Sequence, residues 1–210
     1  MEITFEGQKI ILDHRKAVFI KSNKTLVLAD LHVGKAEHFR KNGLSLPSYG
    51  FVEDIKRFHQ LIETYLPDRV LLLGDLYHSV VNEEFAFWDK ELDQYKTIEF
   101  ILVLGNHDSA AQKNNPFMDR FNVCYELEEN GFYYTHEPRN REGMVNWCGH
   151  MHPGVVLKGA GKQRLKMPCF SFSVNQVILP AFSEMCGLGI ISPQPQDNIY
   201  VCSPNEVIKV

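Results

Sequence analysis

The chain has 210 residues, a formal net charge of −4 and a hydrophobic content of 44%. This length suits one α/β domain rather than two, and the composition is ordinary for a globular protein. The slight excess of acidic residues excludes a protein that binds nucleic acid through a uniformly basic surface. Bound divalent cations would nevertheless add local positive charge that the composition does not include.

The cysteines and the N-terminal segment bear on the compartment. Five cysteines, an odd number without a CxxC pair, favour reduced thiols over a disulfide framework. The N-terminus lacks the basic and then apolar pattern of a signal peptide, and no apolar run is long enough to span a bilayer. We therefore expect a single cytoplasmic domain, residues 1–210, that does not bind membranes.

The first half of the chain alternates strand patterns with helix patterns. Residues 3–20 are predicted to form short strands with a turn at Gly7. Three apolar runs are typical of buried strands: residues 26–29, 70–73 and 98–104. Three stretches are predicted helices: residues 35–41, residues 51–65, and the segment after Asn82 with Phe85, Phe87, Trp88 and Leu92 on its apolar side. This order predicts a parallel or mixed sheet.

The second half of the chain is rich in strand patterns separated by turn residues. The predicted strands are residues 123–125, 132–135, 144–148, 155–157, 164–172, 176–180 and 200–210. They are expected to form a second, largely antiparallel sheet. The sequence thus predicts two sheets packed face to face with helices outside.

Side chains that bind metals stand where the buried strands end. Asp30 and His32 follow the first strand, Asp75 follows the second, and Asn106 follows the third. Open α/β sheets bind their ligands at the carboxyl ends of such strands. Three histidines follow later strands in the same way: His136, His150 and His152. All seven side chains are expected to meet at one edge.

These seven side chains are predicted to hold two divalent metal ions that share Asp75. The first ion is assigned Asp30, His32, Asp75 and His152, and the second Asp75, Asn106, His136 and His150. Oxygen and imidazole ligands favour Mn²⁺, with Fe, Zn²⁺ or Ni²⁺ also compatible, over an all-oxygen Mg²⁺ or Ca²⁺ cage. Cys148 precedes the last turn and is interpreted as a buried strand thiol.

Such a metal pair would hydrolyse a phosphate ester. Two ions roughly 3.5–4 Å apart hold a bridging hydroxide that attacks phosphorus in line. His107, between a ligand and an aspartate, is predicted to protonate the leaving group as a general acid. Asp108 is expected to orient His107 and stabilise its charge. Capping of a helix is the other, compatible interpretation of Asp108.

Several other polar residues are candidates for contact with the substrate. These residues are Lys35, Arg40, His78, Arg139 and Arg141. A solvated helix face is an equal alternative for Arg40, and plain packing is an equal alternative for His78. The densest basic cluster is Lys158, Lys162, Arg164 and Lys166. It is expected at the far end of the molecule, because the strand that leaves His152 must run away from the metal ligands.

The ordered motifs DxH, GD, GNHD, H and GHxH, over residues 30–152, resemble those of the calcineurin-like metallophosphoesterase superfamily. This resemblance implies a four-layer α/β/β/α sandwich with a dinuclear metal site. The stretch DLHVGKAEHFR at residues 30–40, with Gly43 and Pro47, is similar to the bacterial DNA ligase-associated phosphoesterases, as are GDLYHS and GHMHPG. That family implies a DNA-repair endonuclease or phosphodiesterase acting beside a ligase, a helicase and an exonuclease. Residues 182–189 follow the family's small-residue pattern only loosely.

The function expected from the sequence is metal-dependent hydrolysis of phosphodiester bonds, in single-stranded or flapped DNA. Three alternatives remain open: a phosphodiesterase for small-molecule diesters or cyclic nucleotides, a phosphatase for monoesters or phosphoproteins, and an interaction scaffold without metals. Hydrolysis of mono-, di- and cyclic esters and of oligonucleotides separates these classes.

Overall fold

The computed structural model describes residues 1–44, 49–78, 80–111 and 115–210. Pro47 and Ser79, which belong to the motifs above, lie outside these residues. No helix in the described ranges has the length and apolar character needed to cross a membrane.

The first sheet contains the buried strands of the N-terminal half. Its strands are β1 (Glu2–Phe5), β2 (Gln8–Asp13), β3 (Ala17–Ile20), β4 (Thr25–Leu28), β5 (Arg69–Leu73), β6 (Glu99–Val103) and β7 (Asn122–Cys124). They lie in the order β1-β2-β3-β4-β5-β6-β7. β1 to β4 pair antiparallel, and β4 to β7 pair parallel. The assignment of residues 123–125 to the second sheet was therefore wrong, because β7 extends the parallel run of the first.

The described α-helices are α1 (Lys35–Lys41), α2 (Tyr49–Tyr65), α3 (Glu83–Leu92) and α4 (Asn106–Ala111). α2 buries the 3.6-residue stripe that the sequence predicted, and this stripe packs on the outer face of the first sheet. The Asn82 side chain caps α3 by accepting a hydrogen bond from the Glu84 N–H at 3.1 Å. Phe87, predicted on the buried side, is 46% exposed, because the helix turns it away from Phe85 and Trp88.

The second sheet is built from the C-terminal half. Its strands are β8 (Leu127–Glu129), β9 (Phe132–Tyr134), β10 (Val145–Cys148), β11 (Pro153–Lys158), β12 (Arg164–Phe172), β13 (Gln176–Ile178), β14 (Gly189–Ile190), β15 (Asn198–Cys202) and β16 (Val207–Lys209). β9 and β13 run parallel to β10, whereas β11, β13 and β15 run antiparallel to β12. Both sheets are therefore mixed, and the α/β fold class is confirmed. The predicted strand at residues 200–210 is a hairpin of β15 and β16.

The inner faces of the two sheets pack on each other. Trp147, Phe170 and Phe172 of the second sheet meet Leu71 and Val103 of the first in one buried cluster. Fully burying a large side chain of this kind contributes about 1.5–3 kcal/mol. This packing brings the carboxyl ends of β4, β5 and β6 beside those of β9 and β10. We call this edge the rim, defined by Asp30, Asp75, Asn106, His136 and His150.

The hairpin of β11 and β12 extends past the rim. β13 runs in the direction of β10, toward the rim, and β12 runs antiparallel to β13. The first half of β12 and its partner β11 therefore project outward beyond the rim. The basic cluster of Lys158, Lys162, Arg164 and Lys166 lies on this projection. The expectation of a far-end position was wrong, because a strand can leave the rim by continuing outward on the same side.

Candidate metal centre

Five of the predicted ligands share a left-handed backbone conformation. Their φ angles are 56° at Asp30, 48° at His32, 49° at Asp75, 65° at His150 and 46° at His152. Residues other than glycine rarely adopt such angles, and a cluster of them at one place is typical of a functional site. Hydrogen bonds between the loops fix this geometry: Asp30 N–H donates to Gly74 O at 3.2 Å and His32 N–H to Asp75 O at 2.8 Å.

Two glycines let the loops approach each other closely. A Cβ on Gly149 would lie 2.5 Å from Asp30 Oδ2. A Cβ on Gly105 would lie 2.3 Å from both the backbone nitrogen and Oδ1 of Asp75. Contacts of this length do not occur, so any larger residue at Gly105 must displace Asp75.

We expect Gly105→Ala to weaken Mn²⁺ binding by about 10–100-fold, the range found when the support of a metal ligand is removed. Titration calorimetry of the metal-free protein measures the affinity. Gly187→Ala is the control, because a Cβ there meets nothing within 4 Å. Equal Mn²⁺ affinity in the two variants would show that Asp75 is not fixed by this contact.

The first predicted ligand set lies together. Ligand atoms of Asp30, His32 and Asp75 are all within 4.8 Å of one another. His32 Nε2 is 3.7 Å from Asp75 Oδ2, and His152 Nε2 is 3.5 Å from Asp30 Oδ1. The structure therefore brings together the four side chains assigned to the first ion.

The second predicted set lies on the other side of Asp75. Ligand atoms of Asp75, His136 and His150 are within 4.8 Å of one another. His136 Nε2 is 2.9 Å from Asn106 Oδ1 and 3.4 Å from Asp75 Oδ1. His136 Nδ1 is 2.9 Å from Leu73 O, so Nδ1–H donates there and the Nε2 lone pair faces these oxygens. Lone pairs that converge in this way fit a cation between them.

His32 supplies the clearest test of whether these residues fit metal ions. The residue is 4% exposed, and its Nε2 has no hydrogen-bond partner among the described residues. Burial, with the charge of Lys35, lowers the pKa of His32 to about 2, so the imidazole is neutral. An unpaired buried polar atom costs about 1–3 kcal/mol, whereas a neutral imidazole nitrogen is a good metal ligand. The residues present therefore fit a pair of divalent ions.

His107 occupies the open side of the site. Its side chain is 40% exposed, and its Nε2 is 3.9 Å from Asp75 Oδ2. Its backbone N–H donates to Asp75 Oδ1 at 3.0 Å. His78 lies beside it, with ring centroids 4.6 Å apart, and His78 Nδ1 is 3.3 Å from His32 Nδ1. Burial lowers the pKa of His78 to about 4, with the charges of His107 and Lys35 acting in the same direction.

Asp108 is fully buried, and its carboxylate accepts hydrogen bonds from backbone N–H groups rather than from the His107 ring. Its Oδ1 accepts the Tyr77 N–H and its Oδ2 accepts the Gly105 N–H, both at 2.9 Å. The bond to Gly105 resembles the reciprocal bond of a capping box at the start of α4. Burial raises the pKa of Asp108 to about 6. The orientation of His107 by Asp108 stays a prediction.

Of the four predicted cationic contacts, the structure brings two to the rim. Lys35 Nζ lies 3.8 Å from Cys186 Sγ, beside the first ligand set. Arg139 lines a cavity of about 180 Å³ with Asn106 and His136.

The other two cations are paired with acids, and so is Arg139, because its Nη1 lies 3.7 Å from Glu126 Oε2. Arg40 Nη2 donates to Glu84 Oε1 at 2.9 Å, across the gap between α1 and α3. Arg141 forms ion pairs with Glu126 and Glu128, and its guanidinium lies 4.9 Å from the Tyr133 ring centroid. Contact with substrate by these two arginines stays a prediction.

Cys186 is the member of this site that sequence reasoning missed. Its Sγ lies within 4.8 Å of ligand atoms of His32 and His152. The loop that carries it adds to the end of β4, since Phe182 N–H donates to Ala29 O at 2.8 Å. Burial raises the pKa of the Cys186 thiol to about 12. The only sequence signal was the position of Cys186 a few residues after a predicted strand.

Comparison with known proteins agrees with this geometry. The family model for calcineurin-like phosphoesterases matches residues 24–168. The crystal structure of Pseudomonas putida nuclease MPE has a TM-score of 0.86 and 25% identity, with 100% of this chain and 99% of that chain covered. YfcE, a phosphoesterase from E. coli, has a TM-score of 0.46 and 14% identity, with coverages of 89% and 97%. No curated protein sequence matches the chain.

Proposed function

The chain belongs to the calcineurin-like phosphoesterase family, and from this we infer that it is a metal-dependent phosphodiesterase that cuts nucleic acid internally. The family binds two divalent metal ions, and the chain is a metal-dependent phosphoesterase. The observation that carries the proposal is the position of Asp75, whose carboxylate belongs to both ligand clusters. Nucleic acid as the substrate is supported by the similarity to a nuclease over the whole chain.

The chain's own residues would divide the reaction between them. Bound divalent ions supply Lewis acidity, which activates water and neutralises charge on phosphate oxygens. Asp75 would fix the spacing of the two ligand clusters, because its Oδ1 faces His136 and its Oδ2 faces His32. Mn²⁺ is the favoured metal for the donor set, in which imidazole and oxygen predominate.

His107 would act on the leaving group. It is the rim histidine whose side chain is 40% exposed, so its Nε2 can reach a substrate bound at the open face. A proton held at Nε2 would pass to the departing oxygen, a role that contributes about 10²–10⁴-fold in rate. Lys35 and Arg139 flank the two ligand clusters and would bind the neighbouring phosphate oxygens.

We propose single-stranded or flapped DNA as the substrate, in a repair reaction. We also propose joint action with a ligase, a helicase and an exonuclease. This part of the proposal is supported by the similarity of the DLHVGK, GDLYHS and GHMHPG stretches to the DNA ligase-associated phosphoesterases. A strand that bends freely fits this proposal, because the scissile phosphate must descend to Asp30, His32, Asp75 and His136, which are at most 4% exposed.

A substrate panel tests the proposed function. With Mn²⁺ we expect hydrolysis of bis-p-nitrophenyl phosphate, slower hydrolysis of p-nitrophenyl phosphate, and cleavage of single-stranded and flapped oligonucleotides. Circular single-stranded DNA should be linearised, since only internal cleavage acts on a strand without ends. Gel electrophoresis and absorbance at the nitrophenolate band measure these outcomes.

Each alternative function gives a different result. Intact oligonucleotides beside a hydrolysed nitrophenyl diester would indicate a phosphodiesterase for small-molecule diesters or cyclic nucleotides. Faster hydrolysis of the monoester would indicate a phosphatase. A protein that holds no metal by elemental analysis, and stays inactive after reconstitution with metal, would be an interaction scaffold.

A further inference from the structure

The positive charge of the second sheet is concentrated on one hairpin. Residues 143–183 contain no aspartate or glutamate, in a chain whose net charge is −4. Lys158, Lys162, Arg164 and Lys166 lie in this stretch, on β11, β12 and the turn between them, and all four are exposed. The ion pairs found between described residues involve other cations, such as Lys16, Arg57 and Arg120. The four charges of the hairpin are therefore available to a partner.

Strand geometry places three of these cations on one face. Lys158 is opposite Arg164 and Val156 is opposite Lys166, so Lys158, Arg164 and Lys166 share a face. Phe170 and Phe172 lie further along the same face of β12, and they pack against the first sheet. The basic face thus continues the inner face of the second sheet, on the side where the metal ligands lie.

The other face of the hairpin is apolar. Val155, Leu157 and Met167 alternate with the basic residues and pack with Ile199 and Val201. The hairpin is therefore anchored through one face while the basic face stays open to solvent. This division is typical of a structured binding arm rather than of a mobile charged loop.

The basic face begins beyond the metal centre and leads away from it. Ser171 pairs with Ile178, which is level with Cys148 at the end of β10. At about 3.3 Å per residue, Lys166 lies about 16 Å beyond that level and Arg164 about 23 Å beyond it. Lys158, six residues after His152, is about 20 Å from it along β11 by the same rise.

We propose that the β11–β12 hairpin is an arm that binds the sugar-phosphate backbone of a nucleic acid as it leaves the metal centre. This rests on the proposed function and specifies where the substrate runs. A path of 20 Å corresponds to about six phosphates at duplex spacing. Lysine and arginine contacts to phosphate position a strand without reading its sequence. The paired residues of the basic face include no aromatic side chain for base stacking, so binding would rest on the phosphate contacts.

The test removes the three charges of this face: Lys158→Gln, Arg164→Gln and Lys166→Gln in one protein. The control removes three exposed lysines at the opposite edge of the first sheet: Lys9→Gln, Lys24→Gln and Lys96→Gln. Both variants change the net charge equally. Fluorescence anisotropy with a labelled 20-nucleotide single strand, at several salt concentrations, measures binding to the metal-loaded protein.

We expect the hairpin variant to bind the 20-mer about tenfold or more weakly, and its slope of log K against log salt to fall by about 2. KM for cleavage of the 20-mer should rise in parallel. A trinucleotide cannot span the distance to Lys166, so its kcat/KM should be the same in the hairpin variant and the wild type. Bis-p-nitrophenyl phosphate should also be hydrolysed at the wild-type rate, which shows that the variant is folded. The control variant should resemble the wild type throughout.

Two different failures are distinguishable. If the wild type cuts the 20-mer and the hairpin variant cuts and binds it equally, with the same salt slope, the arm is refuted and the proposed function stands. If the wild type hydrolyses the nitrophenyl diester but neither binds nor cuts the 20-mer, the proposed function itself fails and the arm fails with it.

Discussion

Asp75→Asn is expected to reduce the metal content from two ions to at most one and to lower kcat for bis-p-nitrophenyl phosphate by at least about 10³-fold. A metal pair supplies several kcal/mol of transition-state stabilisation, and 1.36 kcal/mol corresponds to a factor of ten. Asparagine keeps the volume and the oxygen that accepts the His107 N–H. It loses the charge and the second carboxylate oxygen, on which both ligand clusters depend.

Elemental analysis gives the stoichiometry, and the rise in Tm on addition of Mn²⁺ gives the coupling of metal to folding. Asp13→Asn is the matched control: it is also buried, but it binds Arg15 and Tyr65 away from the metal ligands. We expect Asp13→Asn to lower the free energy of unfolding by about 1–3 kcal/mol and to keep two ions. Two bound ions in Asp75→Asn would contradict the shared carboxylate.

His107→Ala is expected to slow cleavage of an oligonucleotide by about 10²–10⁴-fold, the contribution of a general acid. The loss with bis-p-nitrophenyl phosphate should be far smaller, because nitrophenolate is a stable anion that leaves without a proton. Among the described residues the exposed His107 ring only approaches Asp75 Oδ2, at 3.9 Å, and makes no hydrogen bond to a predicted ligand, so the metal content should stay at two. Steady-state kinetics on both substrates, with elemental analysis, measure these quantities.

His38→Ala is the control for the loss of an imidazole near the site, since its ring centroid is 5.6 Å from that of His78. It should leave both rates near the wild-type values. Equal losses with the two leaving groups in His107→Ala would exclude proton donation and indicate a role in substrate binding.

The rim was predictable because it depends on short-range signals. An apolar run followed by Gly-Asp or Gly-Asn-His-Asp places a polar residue at a strand end, and parallel strands share an edge. β5 and β6 illustrate this, since Asp75 and Asn106 stand within three residues of their last residues. No knowledge of distant contacts was needed to bring these side chains together.

Features that depend on distant pairing were not predictable. β7 has only three residues, so its pattern cannot show that it pairs with β6 rather than with the second sheet. Arg40 and Glu84 are 44 positions apart, and periodicity alone left Arg40 as a substrate contact. Cys186 reaches the first ligand set only because its loop pairs with the end of β4.

The direction of the basic hairpin depended on the same kind of information. The sequence shows that β11 leaves His152, but the pairing of β12 with β13 decides on which side of the molecule it continues. A strand's distance from a site can be counted in residues, whereas its direction requires the identity of its neighbours.

The left-handed backbone at His32, His150 and His152 limits how far this protein can be made thermostable. Such a conformation costs about 1–3 kcal/mol per residue, whereas the free energy of unfolding of a whole domain is only about 5–15 kcal/mol. Glycine would relieve the cost at each position and would delete an imidazole. Engineering for heat resistance should therefore leave this edge alone and begin with the helical layer of α2 and α3.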